Sequence, residues 1–298
     1  MGDWGFPYQG SKSKIAKSII SILPAGERLV DLFGGGFAIT HCAMCHFKWN
    51  SFLYNDIYPL CVDLVKRAIN GEFNETKFTP EWISKEKFNE LKNKDGYVKY
   101  IWSFANNGNN YLFGRDVEPI KKIAHDAVVF NRASAEFLKM FPDFTGFKGE
   151  TVKKRRLEFR AMLRNRFDLQ QLERLQQLQQ LQQLQQLQQL ELTCMSYLDY
   201  QYKDGDVVYC DIPYQDTKQY NGESFNHDEF YNWARSRDYA VYFSSYPIDG
   251  FEPIFEIHKL QTYSSTNNSK KVIETVYWNG KGQKQKKSLL HNQLLLGV

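Results

Sequence analysis

The chain has 298 residues, 42% of them hydrophobic, and a formal net charge of +4. This length and apolar content predict one large domain, or a domain with a sizeable insert, around a real core. The sequence lacks a membrane-length apolar run and a signal-peptide core, and its five cysteines are widely scattered. We therefore expect an intracellular, cytoplasmic protein without membrane spans or a disulfide framework, whose small positive charge permits a polyanionic partner without requiring one.

The amino-terminal part of the chain has the pattern of a parallel α/β unit. Apolar residues at helical spacing over 13–22 predict a helix that stops before Pro24. A buried strand at 29–32, a glycine turn at 34–36 and a second helix follow, and the next strand ends at Asn55 and Asp56. This strand, turn, helix and strand predict a parallel sheet.

The middle of the chain, from about residue 70 to 166, reads as aromatic-rich helices. They are interrupted by "FANNGNNYLFGRD", whose composition favours a loop that presents amide groups. Basic residues gather between Lys153 and Arg166 among phenylalanines. This cluster is either a solvated helix face over buried rings or a contact surface for a polyanion.

A Leu-Gln-Gln triplet repeat occupies residues 169–190, with a leucine at every third position. Because three residues of an α-helix turn through about 300°, this leucine row drifts by about 60° per triplet. A 3₁₀-helix or a solenoid would align the leucines, but we favour a helix. We interpret it as a spacer that can change length by triplets, and the alternative is a protruding arm that contacts DNA or another subunit.

After residue 198 the α/β pattern returns. We predict a strand that ends in "DIPY", a helix over "DEFYNWARSR", a strand over "YAVYFSSY" and a closing antiparallel pair formed by "KKVIETVYWNG" and "SLLHNQLLLG". The prediction is a domain of residues 1–69 and 191–298, with a helical insert at 70–168 and the repeat at 169–190.

The glycine turn and the strand after it suggest a nucleotide-like ligand. Gly34, Gly35 and Gly36 would let the backbone approach that ligand, and Asp56 could hold two ribose hydroxyls. The spacing lacks GxGxxG, and no P-loop Lys-Ser/Thr pair follows. This favours a nucleoside cofactor other than NAD, S-adenosylmethionine foremost, although such turns also serve plain packing.

The "DIPY" turn suits an exocyclic amine on a planar base. Asp211 at the end of a parallel strand can accept a hydrogen bond from one amino proton, and a backbone carbonyl of the turn can accept a hydrogen bond from the other. The ring of Tyr214 can stack on a base that has left the duplex, and Pro213 stiffens the turn. A helix cap followed by a turn proline is the structural alternative.

These motifs resemble those of the Dam-like DNA N6-adenine methyltransferases. "DIPY" resembles their DPPY motif, with Ile212 in place of the first proline, and "LVDLFGGGFAIT" is similar to their cofactor-binding FxGxG segment. "PYQGSKSKI" is similar to their amino-terminal segment and "YNDIY" to the strand end that binds the cofactor, and the four motifs occur in the family's order. The resemblance implies a mostly parallel, Rossmann-like methyltransferase sheet with a helical target-recognition insert.

The resemblance also implies an activity and its site residues. The activity is site-specific transfer of a methyl group from S-adenosyl-L-methionine to adenine N6 in double-stranded DNA by base flipping, of the kind found in restriction-modification systems. An isoleucine at the first proline position keeps its carbonyl, so we expect an active enzyme. The implied cofactor residues are Tyr8, Lys12, Asp31, Phe33, Gly34, Asp56 and Asp211; the adenine site is Asp211, Ile212, Pro213 and Tyr214; and the DNA contacts are Arg115 and one of Asn107, Asn109 or Asn110.

Several alternatives remain beside this interpretation. Related turns hold the amines of RNA or of protein glutamine, and a DNA-binding relative without catalysis is also possible. The loop after "DIPY" could close over the flipped base, with Tyr220 and Phe225 packing there or in the core.

The sequence also contains half of a metal-site pattern, formed by His41, Cys42, Cys45 and His46. No second ligand pair follows, so we expect no metal. The sequence is compatible with a monomer.

Overall fold

The computed structural model describes residues 4–46, 48–164, 167–186, 189–214, 225–262 and 269–282. Its strands are β1 (Arg28–Asp31), β2 (Ser51–Asn55), β3 (Gln189–Thr193), β4 (Asp206–Asp211), β5 (Val241–Ser245), β6 (Glu252–Thr262) and β7 (Ser269–Trp278). They form one seven-stranded sheet in the order β3-β2-β1-β4-β5-β7-β6. β1 to β5 run parallel, and β7 is antiparallel to β5 and β6. The predicted mostly parallel α/β fold is confirmed.

One helix precedes β1, and the others lie between the strands, most of them in a long segment between β2 and β3. They are α1 (Ala16–Ile22), α2 (Ala38–Met44), α3 (Pro59–Ile69), α4 (Lys85–Leu91), α5 (Gly96–Ile101), α6 (Glu118–Phe130), α7 (Ala135–Met140), α8 (Val152–Met162), α9 (Gln170–Gln180) and α10 (His227–Ser236). The helices predicted over 13–22 and 228–237 correspond to α1 and α10. Among the described residues, none of the helices combines the length and apolar content that a membrane crossing requires.

Two compact units make up the chain. The unit that we call the sheet unit comprises residues 15–34, 42–57 and 189–298, and it contains all seven strands with α1 and α10. The helical unit comprises residues 1–14, 35–41 and 58–188, and it contains α3 to α9. The domain boundaries drawn from the sequence stay a prediction.

The strand order fixes where a ligand can bind on the sheet. All four residues of β1 and the first five of β4 are buried, as expected for central strands covered on both faces. The chain proceeds from β1 toward β2 and β3 on one side and from β4 toward β5 on the other. In such sheets ligands bind outside the carboxyl ends of the strands at this reversal, which here lies between β1 and β4.

The predicted closing pair of strands is only half described. Residues 288–297 lie outside the described residues, and β7 pairs instead with β5 and with β6. The sequence prediction missed β6, because Pro253 and several charged residues interrupt its apolar pattern. It also missed β3, which begins inside the triplet repeat at Gln189.

The triplet repeat changes conformation along its length. It is α-helical through α9, continues as a 3₁₀-helix over Leu181–Gln186 and enters β3 at Gln189. The α-helical part spans only a few triplets, so its leucines drift through an arc that one buried face can cover. The 3₁₀ turns then stop the drift, since three residues complete one turn there. Six leucines in the repeat are at most 4% exposed: Leu169, Leu172, Leu175, Leu178, Leu181 and Leu184.

Polar side chains of the repeat are also tied into the helical unit. The Arg174 guanidinium donates to the carbonyls of Ile101 and Ser103, both at 2.8 Å, and Gln182 accepts a hydrogen bond from Asn74. Leu169 and Leu172 pack in a cluster with residues of α6, α7 and α8. The interpretations of the repeat as a spacer or as a protruding arm were wrong for its described part, which is core.

The basic stretch beside the repeat divides into buried and exposed cations. The Arg155 guanidinium donates to the carbonyls of Val128 and Val129, and Arg156 pairs with Asp168 at 3.1 Å. Both arginines are at most 7% exposed, so they hold the helical unit together. Lys153, Lys154 and Arg164 remain exposed.

Candidate active site

Two of the predicted carboxylates end adjacent strands at the reversal of the sheet. Asp31 is the last residue of β1 and is 1% exposed, and Asp211 is the last residue of β4 and is half-buried. Asp31 pairs in register with Tyr209, so β4 carries Asp211 two residues farther. The structure therefore brings these two predicted site residues to one edge of the sheet.

The two carboxylates give this edge a negative potential. Burial raises the pKa of the Cys210 thiol well above its usual value, and the charges of Asp31 and Asp211 raise it further. Burial and Asp211 raise the pKa of the Tyr209 phenol in the same way. A cationic or proton-donating ligand would be favoured here.

The "DIPY" turn is held in place by packing and by one hydrogen bond. The Ile212 side chain is 2% exposed within the core cluster that contains Phe230 and Phe243. The His227 ring, at the start of α10, donates from Nε2 to the Pro213 carbonyl at 2.7 Å. Burial of Ile212 thus replaces part of the rigidity that a second proline would give. His227 was not among the residues predicted from the sequence, where its one signal was a polar residue at the start of a predicted helix.

Tyr214 lies half-buried beside two residues that the sequence analysis did not select. Its ring centroid is 4.5 Å from that of Tyr246, at an interplanar angle of 41°. Burial, then the charges of Asp211 and of Glu274, raise the pKa of the Tyr214 phenol well above its usual value. The Tyr214 phenol therefore keeps its proton, and the neutral ring suits stacking.

The glycine turn is shaped by close packing. A Cβ on Gly34 would lie 2.1 Å from the Tyr54 ring, and the Gly34 amide donates to the Asn55 carbonyl at 2.8 Å. In the helical unit, Gly35 has φ +45 and a Cβ there would lie 3.1 Å from the Tyr8 ring. The Tyr54 ring thus requires glycine at 34, and the left-handed φ favours glycine at 35, which supports the packing alternative.

Asn55 fixes the strand end that carries Asp56. Its amide donates to the carbonyls of Leu32 and Met195, at 2.9 and 3.0 Å, and its carbonyl oxygen accepts from Thr193 and from the Met195 amide. Asn55 is 1% exposed and Asp56 is 6% exposed. The carboxyl ends of β1, β2 and β3 are thereby tied together. The role of Asn55 was not predicted, and its one signal in the sequence was an asparagine at a strand end directly before Asp56.

Tyr8 and Lys12 belong to the helical unit. The Tyr8 ring packs against Tyr100 at 5.3 Å between centroids, and the Phe6 amide donates to the Gly36 carbonyl at 2.9 Å. Lys12 is 5% exposed, with its Nζ 3.5 Å from the Gly10 carbonyl. That both residues line one cofactor site with the acids of the sheet unit stays a prediction.

Phe33 and Phe225 pack into the aromatic core of the sheet unit. The Phe33 ring lies 5.3 Å from Tyr197, 5.7 Å from Phe225 and 5.8 Å from Phe230 between centroids. Of the two alternatives for Phe225, closing over a flipped base or packing in the core, its contacts are those of a core residue. Tyr220, with the rest of 215–224, lies outside the described residues.

The predicted DNA-contacting loop is a hairpin-like loop, closed by one bridge between Ser103 and Tyr111, in which the asparagines have different roles. Asn107 Oδ1 accepts from the backbone amides of Asn109 and Asn110, at 2.9 and 3.0 Å, so it shapes the loop. Asn109, Asn110 and Arg115 are exposed. Gly108 has φ +69, a left-handed conformation that favours glycine at this turn.

The histidines and cysteines of α2 have local partners. His41 Nδ1 accepts from the Gly5 amide at 2.9 Å, and His46 Nδ1 hydrogen-bonds the Cys42 carbonyl at 2.7 Å. Burial raises the pKa of the Cys42 thiol to about 12. In the part of the chain that the structure describes, no three His, Cys, Asp or Glu side chains are grouped as metal ligands.

Comparison with known proteins assigns a family to this arrangement. No curated protein matches the chain significantly. The family model for D12 class N6 adenine-specific DNA methyltransferases matches residues 8–276, which include both the glycine turn and the "DIPY" turn. The chain therefore belongs to the D12 class N6 adenine-specific DNA methyltransferase family, and it is an adenine-specific DNA methyltransferase.

Proposed function

We propose that this enzyme transfers a methyl group from S-adenosyl-L-methionine to N6 of an adenine that is flipped out of double-stranded DNA. The observation that carries the proposal is the position of Asp211, which ends β4 at the strand reversal beside the end of β1 at the buried Asp31, with Tyr214 three residues farther along the turn. Because the enzyme must reach DNA, the proposal includes a cytoplasmic location.

The chemistry of the donor set fits the proposed methyl donor. A carboxylate such as Asp56, fixed by Asn55 at the end of β2, can accept hydrogen bonds from two adjacent ribose hydroxyls. The negative edge around Asp31 and Asp211 suits a cationic ligand, and a lysine such as Lys12 suits a carboxylate. When bound, the donor supplies an electrophilic methyl group on a sulfonium. The residues proposed to hold it are Tyr8, Lys12, Asp31, Phe33, Gly34, Asp56 and Asp211.

The proposed role of the "DIPY" turn is to orient the target amine. The lone pair of the adenine amine is delocalised into the ring, and hydrogen bonds from its two protons concentrate density on nitrogen. Asp211 would accept a hydrogen bond from one N6 proton and the Ile212 carbonyl a hydrogen bond from the other, while the His227 ring donates to the neighbouring Pro213 carbonyl. Tyr214 would stack on the flipped base. Positioning and hydrogen bonding would then assist in-line attack by N6 on the methyl carbon: the carbon–sulfur bond would break as the carbon–nitrogen bond forms, and N6 would lose one proton, for which Asp211 is the neighbouring acceptor.

The proposed DNA contacts lie in the hairpin of the helical unit. Asn109, Asn110 and Arg115 are exposed and of the types that reach base edges and phosphates, whereas Asn107 holds the loop. We expect Arg115→Ala to weaken DNA affinity about tenfold, equivalent to about 1.4 kcal/mol. Arg132→Ala, an exposed arginine of the same unit, is the matched control and should leave the affinity within twofold.

The decisive experiment measures methyl transfer from labelled S-adenosyl-L-methionine to duplex DNA, with mapping of N6-methyladenine in the product. Asp211→Ala should lower the rate by about 10²–10⁴-fold, and Asp238→Ala, an exposed acid in the same unit, should not. Transfer to RNA or to a glutamine-containing peptide in place of DNA would contradict the substrate assignment. Binding of DNA without transfer to any mixed-sequence duplex would identify an inactive relative.

A further inference from the structure

Glu274 is a buried carboxylate on β7 that the proposed mechanism leaves without a role. It is 2% exposed. Thr275 pairs in antiparallel register with Ser245, the last residue of β5, so Glu274 lies one position beyond the end of that strand, opposite Tyr246. The strand register therefore brings Glu274 to the same edge of the sheet as Asp211, which pairs with Ser244.

Tyr214, three residues after the end of β4, contacts the residue that lies opposite Glu274. Its ring packs against Tyr246, 4.5 Å between centroids, and its hydroxyl is shielded from solvent. Glu274 lies opposite Tyr246 in the β5–β7 register, and its charge, after burial and the charge of Asp211, contributes to raising the pKa of the Tyr214 phenol. The ring that packs against Tyr214 is thus opposite an acid whose charge acts on the Tyr214 hydroxyl.

We propose that Glu274 is a positioning residue, which accepts the hydrogen bond of the Tyr214 hydroxyl and, with Tyr246 packed beside it, fixes the plane of the ring that receives the target base. This inference rests on the proposed function. A half-buried tyrosine can otherwise rotate about its side-chain bonds, and a ring that must stack on a transient base gains from being held in one orientation beforehand.

The side-chain chemistry separates this role from simple core filling. Glutamine at 274 keeps the shape and an acceptor oxygen, whereas leucine keeps much of the volume and no acceptor. Tyr214→Phe keeps the ring and removes the donor. If Glu274 acts through the phenol, removing either partner breaks the same contact, and removing both costs no further activity.

The experiment is a double-mutant cycle in the full-length protein, with kcat and the KM for DNA measured in methyl transfer. We expect Glu274→Leu and Tyr214→Phe each to lower kcat by on the order of tenfold, the double variant to match the lower single variant, and Glu274→Gln to stay within about threefold of wild type. Glu256→Leu is the matched control, because Glu256 is exposed on β6 and pairs with Thr275 in register; its activity should not change.

A second measurement does not depend on turnover. Fluorescence of 2-aminopurine at the target position should report base extrusion by wild type and by Glu274→Gln, and a reduced signal in Glu274→Leu. The inference would be overturned if the loss of kcat in the double variant were the product of the losses in the two single variants, or if Glu274→Leu kept the wild-type kcat. Either result would leave the proposed function intact. If Glu274→Leu does not fold, Tyr214→Phe decides, since wild-type activity in that variant also overturns it. Absence of transfer by the wild-type protein is failure of the proposed function itself.

Discussion

The two ends of the parallel strands hold their carboxylates differently. At the amino ends, Asp206 of β4 forms a bidentate salt bridge with Arg28 of β1 and accepts a hydrogen bond from the Tyr200 hydroxyl. At the carboxyl ends, Asp31 and Asp211 lie close enough to Cys210 to raise the pKa of its thiol. The contacts at the amino edge outweigh the effect of burial, so the pKa of Asp206 lies below its usual value. The amino edge neutralises its charge within the fold.

At the carboxyl edge, Asp31 and Asp211 both raise the pKa of the Cys210 thiol. We expect the carboxylate at the amino edge to stabilise the fold and those at the carboxyl edge to serve the proposed ligand site. The strand that carries Asp206 at its start carries Asp211 at its end, so substitutions along β4 can test the two roles independently.

The largest effect on stability is expected at the amino edge. Asp206→Ala leaves the buried Arg28 guanidinium without its main partner and should lower the free energy of unfolding by about 3 to 5 kcal/mol, measured by urea denaturation. The activity per folded molecule should be unchanged. Glu191→Ala is the control, because that partner of Arg28 has a side chain that is 54% exposed and should cost less than about 1 kcal/mol. Loss of catalysis at full stability in Asp206→Ala would break the comparison.

The histidines of the helical unit and Asp206 of the sheet unit should lower the stability of the protein in different ranges of acid pH. Burial lowers the pKa of His41 and of His125 from 6.5 to about 4. The unfolded chain then binds more protons than the folded one between these values, so stability should fall as the pH drops from 6.5 to 4, by up to about 3 kcal/mol per histidine. Asp206, with its lowered pKa, adds stability that is lost only as the pH falls below about 3.8.

Unfolding measured against pH in single variants checks this separation. His125→Gln should flatten the slope between pH 4 and 6.5, and Asp206→Ala should leave that slope in place. His46→Gln, a change at a half-buried histidine, is the comparison variant. An unchanged slope in both His41→Gln and His125→Gln would contradict the assignment.

The glycine turn tests the geometry of the carboxyl edge. Gly34→Ala places a Cβ 2.1 Å from the Tyr54 ring, so the turn must shift, at a cost of about 1 to 3 kcal/mol. We expect weaker binding of S-adenosylhomocysteine in calorimetry as well. Gly114→Ala, where no atom lies within 4 Å of the added Cβ, should leave stability within about 0.5 kcal/mol. Equal stability of the two variants would show that the turn tolerates a side chain.

Ile212→Pro should have the smallest effect. Proline restores rigidity in the turn but removes a side chain that is 2% exposed in the core, so we expect a loss of about 1 kcal/mol in stability. The methyl-transfer rate should change by no more than a fewfold, with the same target sequence, because the carbonyl at 212 is retained. A changed target sequence would indicate that Ile212 contacts DNA.

Local sequence patterns determined much of the fold and of the candidate site. Apolar runs placed β1, β2, β4 and β5, because strands buried on both faces carry contiguous apolar residues, and helical spacing placed α1 and α10. The strand ends placed Asp31, Asp56 and Asp211, since parallel strands gather their carboxyl ends at one edge. The D12 family match spans all three of these positions.

Tertiary structure decided what local pattern could not encode. The leucine triplets have no single helical face, so only packing in the helical unit and the change to a 3₁₀-helix make them core. Arg155 became structural because backbone carbonyls distant in sequence accept from its guanidinium. Glu274 reaches Tyr214 only through the antiparallel register of β7 with β5, a pairing between segments far apart in the chain that no local periodicity specifies.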